Sequence, residues 1–430
     1  MNLFTEFNPT SHEQWIAAVE KELKGLPFDG TITTKDEIEG IEFSKFADVR
    51  NSSSPSISFQ RGSKSLNNDW FVGKLIEVKD EKIANQEALV ALNQGANSLT
   101  FVLHKKNILW NALFAEISLD FIEVQFKTID EEQTLNLKES FDNFSKKQLI
   151  LLNDIQIENS IDKSYHGVQL AINAFAVHQA GGNAIQEISF ALSAGHSALH
   201  RLLESGFAID DASAMLRFEM GIGANYFVEV AKFQVFRKLW ATVIEAYHPN
   251  ENCSYSCFIY AKTGFVNKSL KDPYTNLLRQ TTEEMSAILG GVNEIQIQAF
   301  DKYSQSANRS LSERMAINIS NLLKEESYFD KVIDPLGGSY NLDLISKTIE
   351  EKAWSLFQEI EIVNGIGTEQ GLSILQKKVN ETADLRKQKV KKGETILIGV
   401  NKFPNPDEKP TEWLDISAYM GFEPLILEKV

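Results

Sequence analysis

Asp334-Pro335-Leu336-Gly337-Gly338-Ser339-Tyr340 reads as a tight turn with one available shape. Proline fixes its own φ and pushes Asp334 out of the α region, while two consecutive glycines permit positive φ or a backbone approach that no Cβ would allow. An apolar pattern of helical period follows at once, through Ile345, Ile349, Ala353, Leu356, Phe357 and Ile360. The turn is therefore expected to send a long helix back along the body of the protein. Everything before it reads as a barrel that this turn closes off.

Working back from the turn, strand-like runs stand at 71–77, 98–103, 122–127, 148–153, 168–176, 213–220, 253–260 and 292–298. Helical patterns separate most of them, at 82–94, 133–146, 183–204, 224–246 and 274–289, with 309–325 after the eighth strand and a weak pattern at 154–165. Eight β-then-α units over about 255 residues match an α/β fold of the (β/α)8 TIM-barrel type. A doubly wound open sheet uses the same alternation, and pattern alone does not show closure.

The expected organisation is an N-terminal arm and linker over 1–65, the barrel over 66–340, and C-terminal helices and tail packed on it over 341–430. In the arm, Ser11 can cap a helix carrying Trp15, Ala18, Val19 and Leu23, which ends at Gly25-Leu26-Pro27. Asn51 to Ser56 is Ser/Pro-rich and reads as a flexible turn or linker. Beyond the barrel, Gly365 to Lys389 reads as a helix and Ile396 to Val400 as a short strand before a Pro-rich stretch. Within the helix from Asn225 to Trp240, Glu229, Lys232, Gln234, Arg237 and Lys238 scatter around the axis. Such a helix is covered on more than one side, either inside the domain or by another subunit.

The chain has 430 residues, 43% of them hydrophobic, enough for a sizeable core. A net charge of -16 argues against nucleic acid or an anionic membrane as main partner. No basic and apolar leader opens the sequence and no run of about 18 apolar residues occurs, so the expectation is a soluble, cytoplasmic protein. The two cysteines, Cys253 and Cys257, fall in an alternating run. On a strand their Cα atoms would stand roughly 13 Å apart, beyond disulfide reach, so both are expected to be reduced, small core residues.

Four patterns could carry chemistry. His196 and His200, at i and i+4, could share a metal, but no carboxylate sits between them and apolar neighbours make them core-edge histidines. Gly221-Ile222-Gly223-Ala224-Asn225 follows a strand and opens a helix, which suits a phosphate loop, although the third glycine is missing and a tight βα turn explains it as well. His178-Gln-Ala-Gly-Gly182 lies at the expected C-terminal end of the fifth strand, the rim where barrel enzymes gather catalytic groups. That makes His178 the best acid/base candidate, with no paired carboxylate beside it in sequence. Asp272-Pro273, with Arg279 beyond, reads as a helix entry.

Taken in order, these pieces resemble the methylmalonyl-CoA mutase family. The resemblance rests on His178 to Gly182 with Gln186-Glu187, Gly221 to Phe233, Arg237 to Trp240, Asp272 to Arg279, Gly290-Gly291, Ala299 to Asp301, Arg314, Asp334 to Tyr340, Ala353-Trp354, Ile360-Glu361 and Gly399 to Pro404. It spans about residues 165–405, and Trp15, Glu22 to Gly25 and Glu39 to Ile41 resemble the small subunit of the heterodimeric form. Asp334, Pro335, Gly337, Gly338, Ser339, Tyr340, Gly221, Gly223, Asn225, Asp272, Pro273 and Arg279 are then expected to be structural.

The resemblance implies an adenosylcobalamin-dependent isomerisation of methylmalonyl-CoA and succinyl-CoA, with a catalytic large-subunit partner that holds cofactor and acyl-CoA. Departures from the catalytic pattern support a non-catalytic role for this chain. The family's tyrosine segment is missing from 46–70 and its arginine segment from 153–166, and its substrate-contacting histidine falls on Ala176, two residues from His178. None of the seven histidines has Asp two residues earlier, as the family's cobalamin lower-ligand motif requires. The expectation is a barrel without metal, cobalamin or a cobalamin-binding domain. Two alternatives are a catalytic barrel served by a separate cobalamin-binding protein and a regulatory or chaperone-like barrel.

Overall fold

The computed structural model describes residues 10–47, 67–128, 130–144, 150–154, 168–305, 309–407 and 411–430. The arm comprises α1 (His12–Glu22), a short α2 (Phe28–Thr31) and the antiparallel hairpin β1 (Thr33–Asp36) and β2 (Ile41–Ser44). Ser11 and Gln14 form a reciprocal capping box at the start of α1. The 51–56 linker and nearly all of the weak 154–165 pattern lie outside the described residues.

The barrel follows as β3 (Phe71–Val78), α3 (Glu81–Asn93), β4 (Ser98–Leu103), α4 (Trp110–Leu113), β5 (Glu123–Lys127), α5 (Glu131–Phe144), β6 (Ile150–Asp154), β7 (Gln169–Asn173), α6 (Phe175–Gln179) and α7 (Ala184–Glu204). It continues with α8 (Ile209–Ala214), β8 (Leu216–Ile222), α9 (Tyr226–Glu245), β9 (Phe258–Thr263), α10 (Thr275–Gly290), β10 (Glu294–Gln296) and α11 (Arg309–Asn321). All eight strands β3 to β10 pair in parallel and β10 returns to β3, so the sheet is closed. The open doubly wound alternative is thereby excluded.

Several strand bounds differ from expectation, the eighth strand shrinking to Glu294–Gln296, and three of the differences have local causes. The fifth strand stops at Asn173 because 175–179 coil into α6, so His178 rides on a short helix just past the strand. The sixth begins at Leu216, since α8 occupies the residues before it. The seventh begins at Phe258, because Asn252–Tyr255 winds into a 3-10 turn. Cys253 is exposed on that turn and Cys257 is buried beyond it, so the two do not share a strand; both thiols are free.

Strand residues alternate between two environments. Leu99, Phe101, Phe126, Phe218, Met220, Ile259 and Ile295 join the helices in one apolar core. The alternate positions meet across the axis: Glu294 on β10 accepts from Ser98 Oγ on β4 at 2.7 Å and from Gln125 Nε2 on β5. Arg217 on β8 reaches Glu294 at 3.9 Å and Glu123 at 3.4 Å, and stacks 3.7 Å over the ring of Phe258. Nearer the C-terminal end, Glu219 lies between Lys262 at 2.7 Å and Lys127 at 3.0 Å, and Tyr260 donates to Gln296 at 2.7 Å. Large polar side chains thus fill the axis.

The turn at 334–340 behaves as the sequence predicts. Gly337 N–H bonds to Asp334 C=O at 3.1 Å, Gly338 has φ +86°, and Ser339 caps α12 (Tyr340–Glu361). Helix α12 runs back across α7, α9 and β2. It is the cover that the scattered polar pattern of α9 demands, so α9 is sandwiched inside this chain. Arg237 of α9 is buried and donates to Gly291 C=O at 2.8 Å.

After α13 (Glu369–Lys391), residues 396–400 form a turn instead of the expected strand. Gly399 has φ +80° and bonds to Lys402 C=O at 2.9 Å, a conformation incompatible with an extended run. The final segment crosses the C-terminal mouth of the barrel. Leu425 N–H bonds to Gln179 C=O at 2.9 Å and Leu427 N–H to Val266 C=O at 3.1 Å, while Trp413 packs on Phe265, Leu270 and Tyr303. Among the described residues no helix is long and apolar enough to cross a membrane.

Candidate functional site

The C-terminal rim of the barrel carries a pocket of about 250 Å³ beside His178. Its walls come from distant segments: Asp36 and Glu39 from the arm hairpin, Asn225 and Glu229 from the start of α9, and Arg386 from α13. Glu39 accepts from Arg386 at 3.2 Å and from Ala184 N–H at 3.2 Å. Burial pushes the Glu39 carboxyl up, opposed by the Arg386 guanidinium. Asn225 donates to Asp36 at 3.0 Å and so ties the arm to the rim.

Beneath the pocket, and reaching it through Glu229, lies a buried charged triad. Lys232 is wholly buried and donates to Glu187 at 2.9 Å, to Gly221 C=O at 2.8 Å and to Glu229 at 2.5 Å. Glu187 also accepts the Gly221 N–H at 2.5 Å. Burial raises the Glu187 carboxyl to about 7, against the pull of Lys232. His178 Nδ1 stands 4.0 Å from Glu187. Burial first, then the charges of Lys232, Arg386 and Lys268, hold His178 well below the usual histidine range, so its ring is neutral.

Gly221 is the floor on which the His178 ring rests. A Cβ there would fall 2.2 Å from His178 Cγ. The glycine serves a side chain of this protein, which accounts for the broken phosphate-loop pattern. His196 is half-buried between Glu361 at 2.7 Å and Tyr247 OH at 2.8 Å, and His200 meets the same hydroxyl at 2.8 Å. Among the described residues no cluster of three or more His, Cys, Asp and Glu is placed to hold a metal.

Asp272 and Arg279 also have local partners. Asp272 accepts from Thr275 Oγ1 at 2.6 Å and packs against Gly399, while Arg279 donates to Ile398 C=O at 2.6 Å. Pro273 opens the turn leading into α10, and together these residues clasp the 396–400 turn. The rim brings together His178, Gly221, Gly223 and Asn225 but leaves Asp272, Arg279 and the 334–340 turn elsewhere. Sequence reasoning missed Arg386, Glu39 and the pairing of Glu187 with Lys232. The polar scatter on α9 was the one available signal, since it placed charges on a face that had to be covered.

A family model for methylmalonyl-CoA mutase matches residues 144–421. The chain belongs to the methylmalonyl-CoA mutase family. It is 33% identical to the methylmalonyl-CoA mutase small subunit of Porphyromonas gingivalis over 94% of this chain and 71% of that protein. It is 31% identical to the methylmalonyl-CoA mutase of Rhizobium meliloti over 57% of this chain, spanning only 35% of that protein's length. A dihydropteroate synthase from Coxiella burnetii is a distant likeness, with 13% identity and a TM-score of 0.35 over 60% of this chain and 94% of that one.

Measured against the mutase pattern, Ala176 is the telling position. It lies on α6, 8% exposed, and presents a methyl group where the resemblance puts a substrate-contacting histidine. His178, on the same helix, is packed on glycine, and among the described residues its ring makes no hydrogen bond, with Glu187 at 4.0 Å. Its neutral ring could accept a proton, and the nearest charged wall of the pocket, Arg386, is already held by Glu39 at 3.2 Å.

Proposed function

We propose that this chain is the small, non-catalytic subunit of an adenosylcobalamin-dependent methylmalonyl-CoA mutase, working as a heterodimer with a catalytic large subunit. The observation that carries this reading is the filled axis: Glu294, Arg217, Glu219, Tyr260 and Lys262 are all buried where a threaded substrate would need space. The C-terminal segment lying over the mouth supports it further, because it covers the face on which a flat cofactor would have to rest. Likeness to a protein named as a small subunit, over 94% of this chain, points the same way.

In this reading adenosylcobalamin supplies the radical chemistry when bound to the partner. The residues of this chain contribute a rigid scaffold. The partner orients the acyl-CoA and excludes water from the reacting centre.

Turnover of methylmalonyl-CoA with adenosylcobalamin, together with co-elution, tests the proposal for this chain alone, the large subunit alone and the mixture. Silence from this chain and an active one-to-one complex on mixing are expected. Turnover by this chain with an added cobalamin-binding protein would overturn the reading and make the His178 pocket an active site. A stable particle that ignores the large subunit would favour a regulatory barrel instead.

A further inference from the structure

The seam between β10 and β3 is registered at only two positions, Glu294 with Phe71 and Ile295 with Val72, whereas β3 and β4 pair along six. Past Ile295 the last strand stays with β9, through Gln296 and Lys262, and parts from β3. A cleft of about 860 Å³ opens in the gap, on the side of the barrel away from the His178 pocket. That volume is in the range of small-molecule sites.

The cleft has an apolar wall and an unmatched cation. Leu75, Ile297, Ala316 and Ile317 supply the apolar surface. Most charges in it are already paired: Lys74 with Glu313 at 2.8 Å and Glu87 at 3.3 Å, and Glu77 with His104. Lys302 is different. Among the described residues its ammonium has no ion pair or hydrogen bond, and burial brings it down to about 8, only partly opposed by Glu77. Arg309 stands beside it, donating to the Lys302 C=O at 2.7 Å. Asp415 lines the same cleft but carries no bond to either cation. A partly buried ammonium that no carboxylate contacts directly is stabilised when an anion joins it.

We infer that this lateral cleft binds a small amphipathic anion, an aliphatic chain along the Leu75 and Ile317 wall with its carboxylate or phosphate head on Lys302 and Arg309. The cleft meets the axial side chains only at its edge, through Gly73 and Gln296, and does not depend on the assignment of a subunit role.

Fluorescence titration of the full chain with 1-anilinonaphthalene-8-sulfonate reads occupancy, and octanoate, octyl phosphate and octanol serve as competitors. Both anions should displace the probe at least tenfold better than octanol, and their ratio distinguishes a carboxylate from a phosphate head. Lys302→Gln should weaken anion competition about tenfold and Lys302→Arg should retain it, with unchanged melting temperature in each. Leu75→Asp, which sets a carboxylate in the wall, should abolish it. On the unmodified protein, octanoate should slow acetylation of Lys302 by an amine-reactive ester at pH 8, read by peptide mass spectrometry, without slowing that of Lys105. Equal competition by octanol and octanoate, or acetylation of Lys302 unchanged by octanoate, would overturn the inference.

Discussion

Gly221 and His178 interlock at the top of the barrel: a Cβ on Gly221 would sit 2.2 Å from His178 Cγ and 2.5 Å from its Cδ2. An added methyl must move the ring or the strand. Gly221→Ala is expected to destabilise by about 1–3 kcal/mol, as overpacking does. Pairing it with His178→Ala should recover most of that loss in thermal melts. Additive losses in the double variant would show that the ring is not what the glycine accommodates.

Lys232 neutralises two buried carboxylates at once, and removing it leaves Glu187 and Glu229 without a counter-ion. Lys232→Met should cost about 3–5 kcal/mol in urea unfolding near pH 8. The loss should shrink at pH 5, where Glu187, raised to about 7, is protonated in the folded state. An equal cost at both pH values would count against the triad as the source.

Glu284 on α10 is buried, accepts from Ser320 Oγ, and is pushed by burial to about 8. Between an unfolded value of 4.5 and about 8 the folded carboxyl holds a proton that the unfolded chain releases. Stability from this group is therefore present at low pH and lost as pH rises through that window, by up to about 1.4 kcal/mol per pH unit. Glu284→Gln should flatten the dependence of the urea midpoint between pH 5 and 8. A slope identical to that of the parent protein would refute the assignment.

Glu428 latches the C-terminal segment over the barrel mouth. Its carboxylate accepts from Leu270 N–H at 2.7 Å and Lys271 N–H at 3.1 Å, and from Trp413 Nε1 at 2.9 Å. Glu428→Ala should loosen the segment and raise the rate of limited proteolysis within 411–430 severalfold, while cleavage of the barrel stays slow. Unchanged cleavage would mean that the apolar contacts of Trp413 and Leu425 alone hold it.

The eight strands were legible because each is a short apolar run bounded by turn residues and followed by a helical period. Their starts were harder to place where a local turn competed, as at Asn252–Tyr255 before β9. The arm hairpin was missed because Thr33–Asp36 and Ile41–Ser44 are short and only partly apolar, and hairpin pairing supplies what local propensity does not. Of the candidate site, His178 and the Gly221 loop were visible as motifs, but their direct contact was not.

The sequence by itself determined the order of strands and helices, the capped start of α1, and the shape of the turn that launches α12, since each depends on residues within a few positions of one another. Only the tertiary structure decided that the sheet closes, that Glu294 finds Ser98 at a separation of 196 residues, and that Glu187 finds Lys232 at 45. Those partners meet because strand tilt and helix cover bring distant segments into a low-dielectric interior, where every buried charge needs a neighbour that local pattern cannot name.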